Sequence, residues 1–591
     1  MRWLIGAFLL MFAAPLAAQD ELRPALSADV VFTELTGAAL VRPEPGKPFE
    51  VTVRIDNRLG TDPPAGLQLA GWFRPVEDNN LGCVEAARSF FATGRLPRGA
   101  IKLNGALIGV ASEDGSFTIV DPEIDLASAN LVGAARFDEA PATLVADIAG
   151  RRFIAALTER GEVLEIAVPS AALRVLAEGL ARPVAIHPVR GGDVWVVESG
   201  RGSLSRIGAD GSLTVVATDV RHMLPSPPGD TLAVSGPGGA ALRDAATGRM
   251  LIEVSGPADH AVALADFDET FALASLAAGT VAIRYTDAPD TPVMIELPAP
   301  ATRLAAGPEG RWILVYDPRK AGDMMLIDVG RGAVIQSIAT PGPISEIAFT
   351  DRAAYLMTSD QSRIGVLDLA AIRSDRPTQL REVMLGQARK KPLEHGGYLA
   401  PLWPQPGMIA VHAESYTGFI VHDYSMMGDA PPMSAIRLRG GVPRLVTGFD
   451  RSFREVLPGV FQTTAMLPIA GEYELVTTTG IGSLSFCAGL PAMEGAGAGD
   501  LSAPGHMIAE RIDPTHVRLS FRGEDGVPVT DARFRVLVTG LATPWRNTVV
   551  LTSDAAGQAT DALAVPQGGP VVIAAQGRDG HSFHPLVMET P

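Results

Sequence analysis

A two-run motif returns about every 40 residues through the middle of this 591-residue chain. A short apolar run leads into polar turn residues, and a second apolar run follows that often closes on Asp. The first runs open near Leu107, Phe153, Val194, Leu232, Phe271, Trp312, Tyr355 and Met408, with the last step the longest. That period is the length of one four-stranded blade, roughly 40–50 residues. Eight copies predict an all-β chain built on an eight-bladed β-propeller over residues 100–440, with β-sandwich elements on its flanks. A ring of this kind fixes the fold and leaves the function open, because many activities use it.

The ends of the chain speak to compartment. Met1-Arg2-Trp3 precedes an apolar run from Leu4 to Leu16, then Ala17-Ala18-Gln19-Asp20. An early positive charge, a short apolar core and small residues before a polar start predict a signal peptide over residues 1–19. The run is shorter than the ~20 residues of a membrane span, and no Cys follows it to carry a lipid. The expected mature protein is periplasmic or secreted, without a membrane span once the signal is removed. A net charge of −17 argues against nucleic acid as a partner, since that needs a basic surface. The two cysteines, Cys83 and Cys487, lack the Cys-x-x-Cys-His pattern of covalent haem attachment and are too few for a thiolate zinc site. In an oxidising compartment they are expected to form a disulfide, clipping the chain before the ring to the chain after it.

The flanks differ from the ring. Residues 20–99 contain one strand of strict alternation, Phe49-Glu50-Val51-Thr52-Val53-Arg54-Ile55, set between Pro and Gly clusters. A short helix is expected from Cys83 to Ala92, stopped by Gly94. Residues 441–490 return to strand patterning behind the turns at Pro458-Gly459 and Ala470-Gly471, and are expected to pack with the N-terminal flank. A Gly, Ala and Pro-rich linker spans 491–505.

Within the ring, second runs such as Phe117–Asp121, Met324–Asp328, Ile364–Asp368 and Phe419–Asp423 share one ending, and Asp114-Gly115 and Asp210-Gly211 suit hairpin corners. On these residues the ring resembles the bacterial YVTN-type and cytochrome d1 haem-domain-like propeller families, whose broad group includes haem d1 domains and a quinoprotein heavy chain. The YVTN tetrapeptide itself is absent. Residues 506–591, with Gly526-Val527-Pro528-Val529, Thr552–Ala559 and Val565–Gly569, resemble a carboxypeptidase-regulatory or Ig-like β-sandwich, a module that usually serves as spacer or adhesive element.

Catalytic motifs are missing: there is no G-x-S-x-G elbow, P-loop or H-E-x-x-H. One constellation stands out. The expected starts of the inner blade strands carry Arg182, His222, His260, Arg303 and His395, with Arg389-Lys390-Lys391 just before the last. Together they would place cationic and imidazole groups around one channel mouth, where they can hold an anionic ligand. The d1 resemblance implies that such a ligand is a haem-like tetrapyrrole, with a His as axial ligand. The alternative is that each residue caps its own loop. In the eighth repeat, His412 and His422, with Met426, Met427 and Met433 nearby, form a candidate metal site; core packing is the other reading. The chain thus reads first as an exported binding or scaffold protein with a protein partner in the periplasm, serving a redox system. The second reading is an oxidoreductase component holding a noncovalent haem-like cofactor. A metal-dependent lactonase is the third, weakened because no Asn occurs between Leu131 and Arg546 to help ligate an ion.

Overall fold

The computed structural model describes residues 26–590, apart from 41–42, 58–66, 77–80, 94–95, 97–99, 124–129, 228, 268–269, 321, 394–395, 425–431, 433, 468–470, 480–484, 491–504, 524–525, 541–544 and 578–582. The expected signal peptide and nearly all of the expected linker lie outside the described residues, as do His395, Met426, Met427 and Met433.

Among the described residues, eight four-stranded antiparallel sheets succeed one another between residues 106 and 450. Their inner strands are Thr143–Asp147, Pro183–Pro188, His222–Pro225, His260–Phe267, Arg303–Ala306, Ile344–Phe349, Leu399–Pro401 and Pro443–Asp450. The strand beside each inner strand contains one of the eight residues at which the sequence motif opens, from Phe153 in Arg152–Leu157 to Met408 in Gly407–His412. These second strands are buried along their whole length in several sheets, for example Val194–Glu198 and Ala353–Thr358. A strand covered on both faces by neighbouring sheets must read as a nearly unbroken apolar run, which is why the motif is legible. Fourth strands face solvent, as Leu213–Thr218 does, and their patterning is correspondingly weak.

The ring closes with strands from its two ends. Pro443–Asp450 was expected among the flanking strands; it pairs instead with Ala106–Ser112 and completes the first sheet from the inside. The seam between the first and second sheets is aromatic. Phe153 lies 5.6 Å from Phe117 and 5.4 Å from Phe449 between ring centroids. Gly109 makes room for it, since a Cβ there would meet the Phe153 ring at 2.9 Å.

The recurrent Asp residues at the ends of third strands are tied into the ring. Asp423 accepts from the Tyr355 hydroxyl at 2.6 Å and from Thr350 Oγ1 at 3.0 Å. Asp121 accepts from Arg451 Nη2 at 3.0 Å, both side chains being buried. These aspartates are structural.

The flanks combine into two sheets. One contains Leu26–Thr33, Pro48–Asn57, Val460–Met466 and Arg454–Leu457; the other contains Ile101–Lys102, Ala70–Pro75, Tyr473–Thr478 and Ser485–Gly489. Phe49, Val51, Val53 and Phe461 of the first share a core with Phe73, Tyr473 and Leu475 of the second. Alternation along Phe49–Ile55 follows directly: Phe49, Val51, Val53 and Ile55 are buried and the residues between them are not. The sheets meet the ring where the inner strands end. Arg151 donates to Thr464 O at 3.3 Å with its guanidinium over the Phe449 ring, and Arg190 bonds Glu50 at 2.5 Å. Cys83, at the start of the helix Cys83–Thr93, is bonded to Cys487 on the edge strand, with Cα atoms 6.0 Å apart.

Residues 505–590 form a three-stranded and a four-stranded sheet around Phe521, Phe534 and Phe583. Arg535 of this unit donates to Arg136 O at 3.1 Å and to the carboxylate of Asp138, on the outer side of the first ring sheet.

Candidate ligand site at the channel mouth

Each inner strand begins at one face of the ring and ends at the other, and the strand beside it returns. The turns between second and third strands therefore lie at the same face as the inner-strand starts. The flanking sheets occupy the opposite face, so the mouth at the starts is the one they leave uncovered.

Three of the five expected site residues come together there. His222 and His260 begin adjacent inner strands, with ring centroids 5.5 Å apart. Arg303 begins the next one, and its charge bears on both rings. Burial, then Arg303 and Arg221, lowers the pKa of His222. Burial, then Arg303 and His222, pushes His260 down to about 3. Both rings are therefore neutral at physiological pH, and the fixed positive charge belongs to the arginines.

The neighbouring sheets continue this belt. Tyr316 pairs across from Arg303, and burial pushes its hydroxyl up to about 12, with Arg303 opposing and Glu346 reinforcing the shift. Glu346, on the next inner strand, is partly buried. Burial raises its carboxyl to about 7, against the backbone N–H groups of Tyr398, Gly397 and Leu399. Tyr398 N donates to it at 2.7 Å. Arg389 lies at the same face, its Nη1 donating to Gln361 at 3.2 Å. Glu346 and Tyr316 were not singled out from sequence. The available signal was a carboxylate within an inner-strand run, Ile344-Ser345-Glu346-Ile347, where a solvated residue is out of place.

The other expected residues behave differently. Arg182 is exposed and paired at 2.9 Å with Glu159 of the preceding sheet, so its guanidinium is engaged by a neighbouring carboxylate. His395 lies outside the described residues. His412 and His422 do not meet. Their strands pair so that His412 faces Thr417 and His422 faces Gly407, at opposite ends of one hairpin. His412 is also occupied: Nδ1 is 2.9 Å from Ser415 Oγ and Nε2 is 2.9 Å from Gln387 O. Among the described residues no group of three or more His, Cys, Asp or Glu side chains is placed to hold a metal ion. The expected metal pair is therefore corrected to a buried capping histidine and an exposed one.

The mouth partly fits a haem-like group. Leu304 N donates to His260 Nδ1 at 3.2 Å, so the neutral ring carries its proton on Nε2 and has no lone pair there to offer iron. His222 has no hydrogen bond from its ring among the described residues, and its lowered pKa keeps a nitrogen lone pair available. His222 would hold the iron of such a group, Arg303 and Arg221 would hold its carboxylates, and the group would supply redox or electron-transfer chemistry.

No protein-family model and no curated protein matches the chain. Solved structures of β-propeller proteins do match at low identity. AztD of Citrobacter koseri is 15% identical with a TM-score of 0.42, covering 58% of this chain and 98% of that one. The dihydro-heme d1 dehydrogenase NirN, in complex with DHE, is 17% identical with a TM-score of 0.37, covering 60% and 78%. Virginiamycin B lyase from Staphylococcus aureus is 12% identical with a TM-score of 0.30, covering 40% and 85%. At these scores the propeller assignment rests on the sheet order and ring closure of this chain itself.

Proposed function

We propose that the chain is an exported eight-bladed β-propeller whose uncovered channel mouth binds an anionic ligand, acting as a binding or scaffold protein. The observation that carries this reading is the convergence of His222, His260 and Arg303 at one mouth. Neutral imidazoles there act as hydrogen-bonding groups beside a guanidinium that pairs with no carboxylate among the described residues. In a protein of net charge −17 such a mouth is a local exception that favours an anion. The disulfide suits an oxidising compartment. The units proposed around the ring are a flanking β-sandwich, built from residues 20–99 and from the 441–490 segment beyond the ring-closing strand, and an Ig-like module over 506–591.

A second reading, a noncovalent tetrapyrrole at this mouth serving a redox system, is favoured by the ring of His222, which lies beside two arginines. Titration with haem tests both readings. A Soret shift that His222→Ala abolishes supports the tetrapyrrole. Saturable binding of simple carboxylates or phosphate that Arg303→Ala weakens, without any Soret shift, supports the broader anion site. Absence of both refutes the mouth as a ligand site. The lactonase reading has no ligand set among the described residues.

A further inference from the structure

On the face opposite that mouth, a groove of about 460 Å³ runs between the sixth and seventh sheets of the ring and reaches the eighth. Its volume lies within the roughly 300–1,000 Å³ of small-molecule sites. Its walls are the turn Gly307–Trp312, residues 351–352, the segment 369–373 and Tyr424. No sequence motif pointed to it.

The groove carries both signs of charge. Arg311 lies with its guanidinium 4.4 Å from the Trp312 ring centroid, and its ion pair with Asp328 is long at 3.8 Å. Arg373 is held rigidly: its Nη1 donates at 2.8 Å to both Ala370 O and Ile372 O. Its Nη2 and Nε make no hydrogen bond among the described residues. Arg352 is committed to the Tyr424 hydroxyl at 2.9 Å. Opposing them are Glu309 and Asp351, neither of which has an ion pair among the described residues. Burial raises the Asp351 carboxyl, Arg454 and Arg352 oppose the rise, and Asp423 and Glu309 add to it, so Asp351 and Glu309 lie close enough to act on one ligand group. The buried side chains of Leu369 and Ile372 add an apolar part to the lining.

We propose that this groove binds a zwitterionic ligand of the amino-acid or short-peptide class, its carboxylate on Arg373 and Arg311 and its ammonium on Glu309 and Asp351. A fixed guanidinium fork suits a carboxylate, and paired carboxylates suit an ammonium. A simple anion would satisfy only half of the groove. The site is separate from the channel mouth and does not depend on the reading of that mouth.

Isothermal titration of the purified chain with the dipeptide Ala-Phe, N-acetyl-Ala-Phe and Ala-Phe amide tests it. Expected is saturable binding of the free dipeptide, weakened about tenfold or more by either block, as loss of one charge-assisted contact implies. Arg373→Ala and Glu309→Gln should each weaken it comparably with an unchanged melting temperature, while Arg303→Ala at the mouth leaves it intact. Equal binding of free and acetylated peptide would mark an anion site and overturn the proposal. So would the absence of saturable binding, or loss of binding in Arg303→Ala.

Discussion

His222 and His260 stand 5.5 Å apart between ring centroids at the starts of neighbouring inner strands, and among the described residues only His260 has its Nδ1 held by a backbone N–H. That asymmetry separates their roles. His260 is a buried structural ring that accepts from Leu304, while His222 remains available to a ligand. Replacing His260 with Ala should lower stability, by leaving Leu304 N–H without its partner, at a cost of about 1–3 kcal/mol. Replacing His222 with Ala should change ligand binding with little effect on stability. Denaturant unfolding alongside ligand titration distinguishes the two; equal effects of both substitutions on binding would contradict the assignment.

Acid should act on the chain through His260. Its folded pKa of about 3 lies below its usual value of about 6.5, so the unfolded chain takes up a proton that the folded one refuses. Stability from this group is complete above about pH 6.5 and falls progressively toward pH 3. His260→Gln should flatten that slope in unfolding experiments across this window. An unchanged slope would show that other groups govern acid sensitivity.

The ring was legible in the sequence because its second strands are buried on both faces and read as apolar runs. The mouth was partly legible, since inner-strand starts follow from the same period and three of the predicted side chains do converge. Other features were hidden for physical reasons. Pro443–Asp450 joins the first sheet through pairing across more than 300 residues, which no local pattern encodes. The partner of Arg182 is a glutamate in the preceding sheet, and pairing of exposed side chains leaves no periodic trace. His412 and His422 look like a metal pair in a linear reading because six-residue strands separate them by only ten positions, yet the hairpin sends them to opposite ends.

The junction of ring and flanking sheets should be sensitive to Arg451. It forms a buried pair with Asp121 at 3.0 Å. Removing one partner of such a pair typically costs about 3–5 kcal/mol, because the other charge is left buried. Arg451→Ala should approach that loss, and Arg451→Met combined with Asp121→Leu should recover part of it. A double variant as unstable as the single one would mean that packing, not charge, sets the cost.

The Cys83–Cys487 bond should be present in the purified protein, so thiol titration of the unfolded, unreduced chain should detect no free thiol. The cysteines are 404 residues apart, so the bond closes a very long loop and constrains the unfolded chain. Losing it by Cys83→Ala with Cys487→Ala should cost roughly 2–5 kcal/mol. The loss should appear first at the helix Cys83–Thr93, which the bond ties to the edge strand Ser485–Gly489. Hydrogen exchange offers the local readout: faster exchange in that helix with the ring unchanged is expected, whereas uniform acceleration across the ring would show that the bond supports the whole molecule.

Glu346 supplies the opposite pH dependence. Its folded pKa of about 7 lies above the usual carboxylate range, so folding favours the protonated acid and stability from this group declines as pH rises from about 4.5 to 7. Glu346→Gln keeps a carbonyl oxygen for the N–H of Tyr398 and removes the titration. The variant should be at least as stable as the native chain at pH 8, and its unfolding free energy should vary less between pH 5 and 7. An anion at the mouth should also bind more tightly to the variant at pH 8, because the like charge of the ionised Glu346 is gone from beside Tyr316, the neighbour of Arg303. If Glu346→Gln is strongly destabilised at every pH, both carboxyl oxygens are needed by the N–H groups of 397–399, and the group is a structural acceptor and not a titrating member of the mouth.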